Sequence, residues 1–395
     1  MRDGPLLIPD VTTDVIAHDT SDHSTASPGG TVKSNELNFS GGPGALPATV
    51  LEQTRVAISA LPETGISVLG MSHRSDWFRA ILDEAEQNLR ALLGLSDDYA
   101  ITFQQGGSSL QFAMIPMNFA AQGLAPPEYV TSGYWSGRAT AEAARVTAMN
   151  VAWDGHATGY RQLPSLDQLD ISGSAAYLHY VSNETVEGLQ FPVCEEAPSV
   201  PLIADMSSDF LSKPFRPDAY SMIYAHAQKN LGPAGVTVAV IKRSLLERIP
   251  DGLPTILDFR THVSHGSNYN TPPVFAIYVL TLITRWLRFE VGGLHAMQRI
   301  NERKARRLYD TLDALGDNVI VHADRRWRSQ MNVAFKFADS RLGDAFIEAA
   351  RDQGIVGLEG HRSIGGLRAS LYNAVTEQAV DILTNALMEF SLQRA

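Results

Sequence analysis

Between residues 203 and 240 three short apolar runs stand close together, each stopped by a polar residue or a glycine turn. Residues 201–204 stop at Asp205. Residues 221–225 stop just before His226, Gln228 and Lys229. Residues 236–241 follow the turn Gly232-Pro233-Ala234-Gly235. Short β-prone runs bounded by Gly and Pro read as buried strands. An acid and a lysine are thus delivered from strand ends, where α/β sheets place their chemistry. A lysine after a strand is ordinarily a solvated surface group. The flanking Gln228, Asn230 and the tight glycine turn argue against that for Lys229. Burial near apolar walls would disfavour its ammonium form, lower its pKa and prepare its amine to attack a carbonyl.

The same rhythm runs through residues 99–241. A strand over 99–103 leads through Gly106-Gly107-Ser108-Ser109 into a helix beginning near Leu110, with a kink predicted at Pro116. Strand, glycines, then helix is how backbone N–H groups are offered to a phosphate. Further strands are predicted at 129–131, 150–153 and 175–181, and a helix over about 135–147. Trp135, at the head of that helix, is placed to stack on a planar ring, although tryptophan more often fills a core. Alternating strands and helices imply an α/β fold, a mostly parallel sheet with helices on both faces. Upstream, helices are predicted over 50–61 and from Ser75 to near Gly94, the second burying Phe78, Ile81, Leu82, Ala85 and Leu89 on one face. His73 and Arg74 sit in the loop before it, within reach of a ligand.

At 395 residues the chain is too long for one ordinary core and fits two domains. Residues 1–37, rich in Ser, Thr, Asp and Gly, read as a flexible extension. Residues 38–290 are expected to form the large domain, whose first segment also contributes to the smaller one. Residues 291–395, after the Gly292-Gly293 break in a long helical region, read as a smaller α+β domain. Residues 259–273 are a polar loop of a kind used at interfaces or sites. Near the end, GLEGHRSIGGLRASLYN gathers His361, Arg362 and Arg368. In an acidic protein three such groups suit an anionic substrate, with surface ion pairs as the competing account.

The formal net charge of −11 argues against nucleic acid or an anionic membrane surface as the main partner. One cysteine, Cys194, leaves no disulfide framework, and no Cys/His spacing suggests a metal site. The opening MRDGPLLIPD lacks the apolar core of a secretion signal, and no run approaches a membrane span. A cytoplasmic protein is expected, and the acceptor pattern Asn183-Glu184-Thr185 then has no bearing on glycosylation.

A strand-end lysine preceded by an acid from the neighbouring strand is the arrangement of enzymes that use pyridoxal 5′-phosphate (PLP). The segments NFSGGPGALP, SHRS, GGSSLQF, GYW, HYVSNETVEG, ADMSSDFLS, YAHAQKNLGPAG, NTPP, RSQMNV and GHRSIGGLRASLYNA occur in one order along the chain. Taken together they resemble the phosphoserine aminotransferases, class-V PLP enzymes of fold type I with a seven-stranded-type sheet, from about Asn38 to the C-terminus. The resemblance implies that Lys229 is the Schiff-base lysine and proton shuttle and that Asp205 holds the pyridinium nitrogen. Trp135 would stack on the ring, and Thr185 would bond its 3′-oxygen. Ser108, Ser109 and Gln228 would hold the cofactor phosphate, joined by Asn270 and Thr271 of the second subunit of a homodimer. Arg368 would bind the substrate α-carboxylate, and His73, Arg74, His361 and Arg362 its phosphate. Glutamate and 3-phosphohydroxypyruvate would be the substrates, in serine biosynthesis.

One departure stands out: Glu359 lies where that family usually has lysine, an acid beside the phosphate cluster. It motivates a first alternative, the same chemistry on another 2-oxo acid in a specialised pathway. A second alternative is a PLP-fold ligand-binding regulator. The polar, acidic start of the chain is too short for the DNA-binding domain that such a regulator needs.

Overall fold

The three apolar runs around Lys229 are adjacent strands of one sheet. The computed structural model describes residues 35–120, 125–196 and 198–393. The extension expected over residues 1–37 falls, up to residue 34, outside the described residues. The large sheet contains β1 (Tyr99–Gln104), β2 (Glu128–Thr131), β3 (Asn150–Asp154), β4 (Leu178–Val181), β7 (Leu202–Asp205), β8 (Met222–His226) and β9 (Thr237–Lys242). A hairpin of β5 (Asn183–Glu184) and β6 (Leu189–Gln190) follows β4. A separate three-stranded antiparallel sheet is built from β10 (Val319–Val321), β11 (Asn332–Phe337) and β12 (Leu367–Ser370). The helices are α1 (Ala48–Ser59), α2 (Asp76–Leu93), α3 (Gly107–Phe119), α4 (Tyr134–Val146), α5 (Arg243–Leu246), α6 (Phe259–Ser264), α7 (Val274–Arg285), α8 (Leu294–Ala314), α9 (Arg341–Asp352) and α10 (Glu377–Leu392).

The seven strands lie in the order β1-β9-β8-β7-β4-β2-β3. β9 pairs antiparallel with both neighbours and the other pairs are parallel, so six strands end at the same edge. Successive residues of a strand face opposite sides. Leu202 and Ala204 of β7 accordingly join the core beneath α2 and α7, while Ile203 joins the core with α3 and α4. Both faces are covered, which explains why the strands read as unbroken apolar runs. α2 begins where the sequence places it: the Ser75 hydroxyl accepts from the Phe78 N–H at 3.2 Å, and Gly94 closes it in the left-handed conformation.

One expectation of local structure changes. The 259–273 segment opens with helix α6, capped by Asp258, whose carboxylate accepts from the Arg260 N–H at 2.8 Å. Near Val356 the chain makes a single bridge to Asn38. That bridge draws residues 38 and 39 to the small sheet: the Phe39 N–H donates to Val356 O at 2.9 Å, and the Phe39 carbonyl accepts from the Ser370 N–H at 3.0 Å. Phe39 and Ala45 are then buried in the core formed by α8–α10 and β10–β12. Among the described residues no helix is long and apolar enough to cross a membrane.

Within that core Lys304 of α8 is almost fully buried, and its ammonium donates to the carbonyls of Leu371, Tyr372 and Val375 at 3.0, 2.9 and 2.9 Å. Burial pulls its pKa to about 7, and three acceptors that only a donor satisfies favour the protonated form. The turn after β12 is tied to α8 in this way. Lys304→Met should strip the ammonium donor from three buried carbonyls, of which Tyr372 keeps the Val375 N–H at 2.9 Å, and cost on the order of 2 kcal/mol, measured by denaturant unfolding. A loss under about 1 kcal/mol would mean that water replaces the ammonium.

Candidate active site

Four adjacent strands, β8, β7, β4 and β2, end beside one another and present Lys229, Asp205, Thr185 and Trp135 in that order. Lys229 lies in the turn between β8 and β9 and is 7% exposed. Its Nζ donates to Thr185 Oγ1 at 2.6 Å and stands 5.8 Å from the centre of the Trp135 ring. Burial lowers its pKa to about 8; Asp205 opposes that shift and Arg368 adds to it. Near pH 7 about a tenth of the amine is then neutral, far more than for an ordinary lysine, and the neutral form is the nucleophile.

Asp205 is buried at the end of β7, where its Oδ1 accepts from the Ser207 N–H at 2.8 Å. Burial raises its pKa, while the Ser207 hydrogen bonds and the Lys229 charge act against the rise. The Ser207 hydroxyl lies 2.8 Å from that of Ser108, in the first turn of α3. Gly106, the residue before that helix, has φ +96°, and a Cβ there would meet the Leu110 side chain at 2.5 Å. Only glycine lets β1 turn so sharply into a helix start that faces the site. Ser108 is buried and Ser109 exposed. Gln228, half-buried beside Lys229, accepts the Gly44 N–H on its backbone carbonyl at 2.9 Å.

Arg368 of β12 reaches the same place from the small sheet. A Cβ on Gly41 would lie 2.1 Å from its guanidinium, so the guanidinium packs directly on the Gly41 backbone. The Gly41 carbonyl is held by the Tyr372 hydroxyl at 2.9 Å. His361 rests against the Tyr134 ring at 4.5 Å, and Tyr134 meets the neighbouring Trp135 at 5.2 Å. Arg362 is exposed on the same loop. Glu359 pairs with Arg351 of α9 at 3.1 Å, both side chains about half exposed. Such a pair is worth little stability, but its partner is on α9 rather than in the phosphate cluster.

The remaining candidates form a second group. The His73 carbonyl accepts from Asn268 Nδ2 at 2.9 Å, and the Thr271 carbonyl accepts from Gln105 Nε2 at 2.8 Å. Asn270 lines a cavity of ≈ 310 Å³ with Gln105, Gly106 and Pro272. His73 is half-buried; Arg74, Asn270 and Thr271 are exposed. Residues not singled out from the sequence also shape the site. Ser207, Tyr134 and Tyr372 carry no motif of their own. Glu184 and Glu187 had a usable signal, two acids flanking Thr185 in a segment too apolar to leave them in water.

A buried amine, a glycine-opened helix start with Ser108, and the unpartnered buried Trp135 Nε1 and Arg368 Nε fit a planar phosphorylated aldehyde such as PLP. Residues 37–383 match the family model for class-V aminotransferases. The phosphoserine aminotransferase of Geobacillus kaustophilus is 46% identical over 355 residues, covering 89% of this chain and 97% of that protein. Among solved structures, the phosphoserine aminotransferase of Bacillus circulans subsp. alkalophilus superposes with a TM-score of 0.88 at 43% identity, covering 91% of this chain and 99% of that one. The PLP-bound phosphoserine aminotransferase of Trichomonas vaginalis does so with a TM-score of 0.83 at 36% identity, over 89% and 99%.

The lowered pKa of Lys229 has a direct test. As pH rises, the neutral amine should accumulate through about 8 instead of the usual lysine range. Attack on added PLP by cofactor-free protein, followed by absorbance from about pH 6 to about pH 11, should therefore level off above about pH 9. A rate still climbing beyond about pH 10 would put the amine in an ordinary environment.

Proposed function

The chain belongs to the phosphoserine aminotransferases of the class-V aminotransferase family, and from that membership we propose that it exchanges an amino group between glutamate and 3-phosphohydroxypyruvate, giving phosphoserine and 2-oxoglutarate. The observation that carries this reading is the meeting of a buried, readily neutralised Lys229 with Thr185, Asp205 and Arg368 at one edge of the sheet. The relatives favour neither another 2-oxo acid nor a ligand-binding regulator. PLP, when bound, supplies a carbonyl that carries the amino group and a ring that draws electrons from the substrate Cα.

The other tasks fall to this chain's side chains. Lys229 Nζ binds the cofactor carbonyl and carries the proton that leaves the substrate Cα. Asp205, kept anionic by the Ser207 hydrogen bonds, holds the ring nitrogen in its protonated form. Trp135 supports the ring, Thr185 meets its 3′-oxygen, and Ser108, Ser109 and Gln228 hold the cofactor phosphate. Arg368 takes the α-carboxylate of both substrates as a two-pronged donor. His361 and Arg362 take the substrate phosphate, with Glu359 drawn off to Arg351. We read residues 38–290 and 291–395 as the two domains that contribute these groups, in an enzyme of the cytoplasm.

Gly41→Ala, by displacing the guanidinium, should raise KM for glutamate and for the keto acid by about tenfold or more, roughly 1.4 kcal/mol each. His361→Ala should raise KM only for the phosphorylated acid, and Lys229→Ala should lower kcat by about 10⁴-fold. Steady-state assays with phosphorylated and unphosphorylated 2-oxo acids decide the matter. Equal losses for both acids in His361→Ala would show the phosphate role to be misassigned.

The working unit in this reading is a homodimer in which Asn270 and Thr271 of one chain complete the phosphate site of the other, and His73 and Arg74 its substrate site. Support comes from the apolar side chains left in water on the segments that the Asn268–His73 bond joins: Ile66 is 50% exposed, Leu69 64% and Tyr269 43%. Mixing Lys229→Ala protein with Thr271→Ala protein under subunit exchange should give more activity than the sum of the two alone, because one hybrid site regains both groups. Strict additivity would assign Thr271 to its own subunit's site.

A further inference from the structure

Helix α4, which carries Trp135, begins without a cap of its own. Its N-cap is Gly133, and the acceptors for its first turn come from the β5–β6 hairpin instead. Glu184 accepts from the Trp135 N–H and the Ser136 N–H, each at 3.0 Å, and from the Ser132 hydroxyl at 3.2 Å. Glu187 accepts from the Tyr134 N–H at 2.9 Å, and its second carboxyl oxygen is buried without a partner. A Cβ on Gly133 would lie 2.8 Å from the carboxyl carbons of both acids, so those carbons are at most twice that distance apart. Two buried carboxylates so near each other do not both stay ionised. Glu184, with three donors, keeps the charge. Burial and the Glu184 charge push the Glu187 pKa well above the usual carboxylate range, so Glu187 takes the proton.

Glu184 turns toward α4, and Thr185, next in sequence, toward Lys229 Nζ at 2.6 Å. The hairpin is itself fixed to the small sheet: the Ser329 N–H donates to the Gly188 carbonyl at 2.9 Å, and Asn183 Nδ2 to Asn332 Oδ1 at 2.8 Å. A side chain at residue 188 would strike the Asn332 carbonyl at 2.7 Å.

We propose that Glu184 is a positioning residue for the reaction: by holding the first turn of α4 it locks the Trp135 ring to Thr185 and Lys229, so the face on which the cofactor stacks and the hydroxyl at its 3′-oxygen move as one body. The inference rests on the assignment of Trp135 and Thr185 to the cofactor made above. It separates Glu184 from Glu187. An amide at 184 sets an NH₂ group against a backbone N–H, whereas an amide at 187 keeps the one accepted bond and replaces a neutral acid by a neutral group.

The test compares Glu184→Gln and Glu187→Gln holoenzymes with the parent. Glu184→Gln should raise the Kd for PLP by about tenfold or more, alter the visible circular dichroism of the bound cofactor and lower kcat, with KM for the phosphorylated acid changed less than about threefold. Glu187→Gln should keep cofactor Kd and dichroism within about threefold of the parent. Equal effects in the two variants would overturn the proposal. So would a Glu184→Gln protein that melts earlier but keeps the parent's cofactor Kd and dichroism, since the acid would then only cap a helix. If Glu184→Gln does not fold, Ser132→Ala removes one of its three donors and should raise the cofactor Kd by about twofold to fivefold; an unchanged Kd refutes the idea. A parent protein that binds no PLP would instead sink the site assignment on which the proposal stands.

Discussion

An amine withdrawn from water works as a nucleophile only while the charges around it are balanced, and that condition organises this molecule. Burial drives Lys229 toward the neutral form and Arg368 pushes the same way. Asp205, Glu184 and Asp209 pull back, so the pKa settles at about 8 rather than far lower. None of these partners is close to Lys229 in sequence. Arg368 comes from the small antiparallel sheet; the acids meet Lys229 because a parallel sheet ends its strands at one edge, and Asp205 and Lys229 come from neighbouring ends of that edge. The antiparallel β9 between β8 and β1 adds β1 to the same edge, which brings the glycine-opened start of α3 and its Ser108 to Ser207.

Much of this was legible in the sequence where the signal is local. The apolar runs around Asp205 and Lys229 became strands because both sheet faces are covered, and β-prone runs bounded by glycine have no other favourable burial. Ser75 and Gly94 bounded α2 because capping chemistry acts within a turn of the residue that supplies it. The order of the strands was not legible. No residue pattern states that β9 runs between β1 and β8, since pairing depends on contacts between distant segments. The α6 helix was hidden for a different reason. Asp258 caps it, yet the abundant Ser, Asn, His and Pro after it outweigh six helical residues in any reading of composition.

The site divides along the same line. Lys229, Asp205 and Ser108 follow strands and could be placed from the runs preceding them. Tyr134 and Tyr372 act through partners hundreds of residues away and look ordinary in the sequence, whereas Glu184 and Glu187 show there only as acids in an apolar segment, without their partners on α4. Glu359 shows the opposite failure. Adjacency to His361 in the chain suggested a clash with a phosphate, but the carboxylate pairs with Arg351 on α9. Neighbours in sequence need not share a direction, and a side chain's direction decides which charge it feels.

The segment at Phe39–Gly42 ties the small sheet to the turn that carries Lys229. Its backbone pairs with Val356 and Ser370, Gly41 lies under Arg368, and Gly42 lies within van der Waals reach of Lys229. On the ribosome these residues emerge some three hundred residues before their partners in the small sheet. The strands that present Lys229 and Asp205 can pair while the chain is still growing. The contact of Gly41 with the Arg368 guanidinium cannot, because the two are separated by some three hundred residues. The edge that carries Lys229 and Asp205 and the contact that seats Arg368 are thus separated in the order of synthesis.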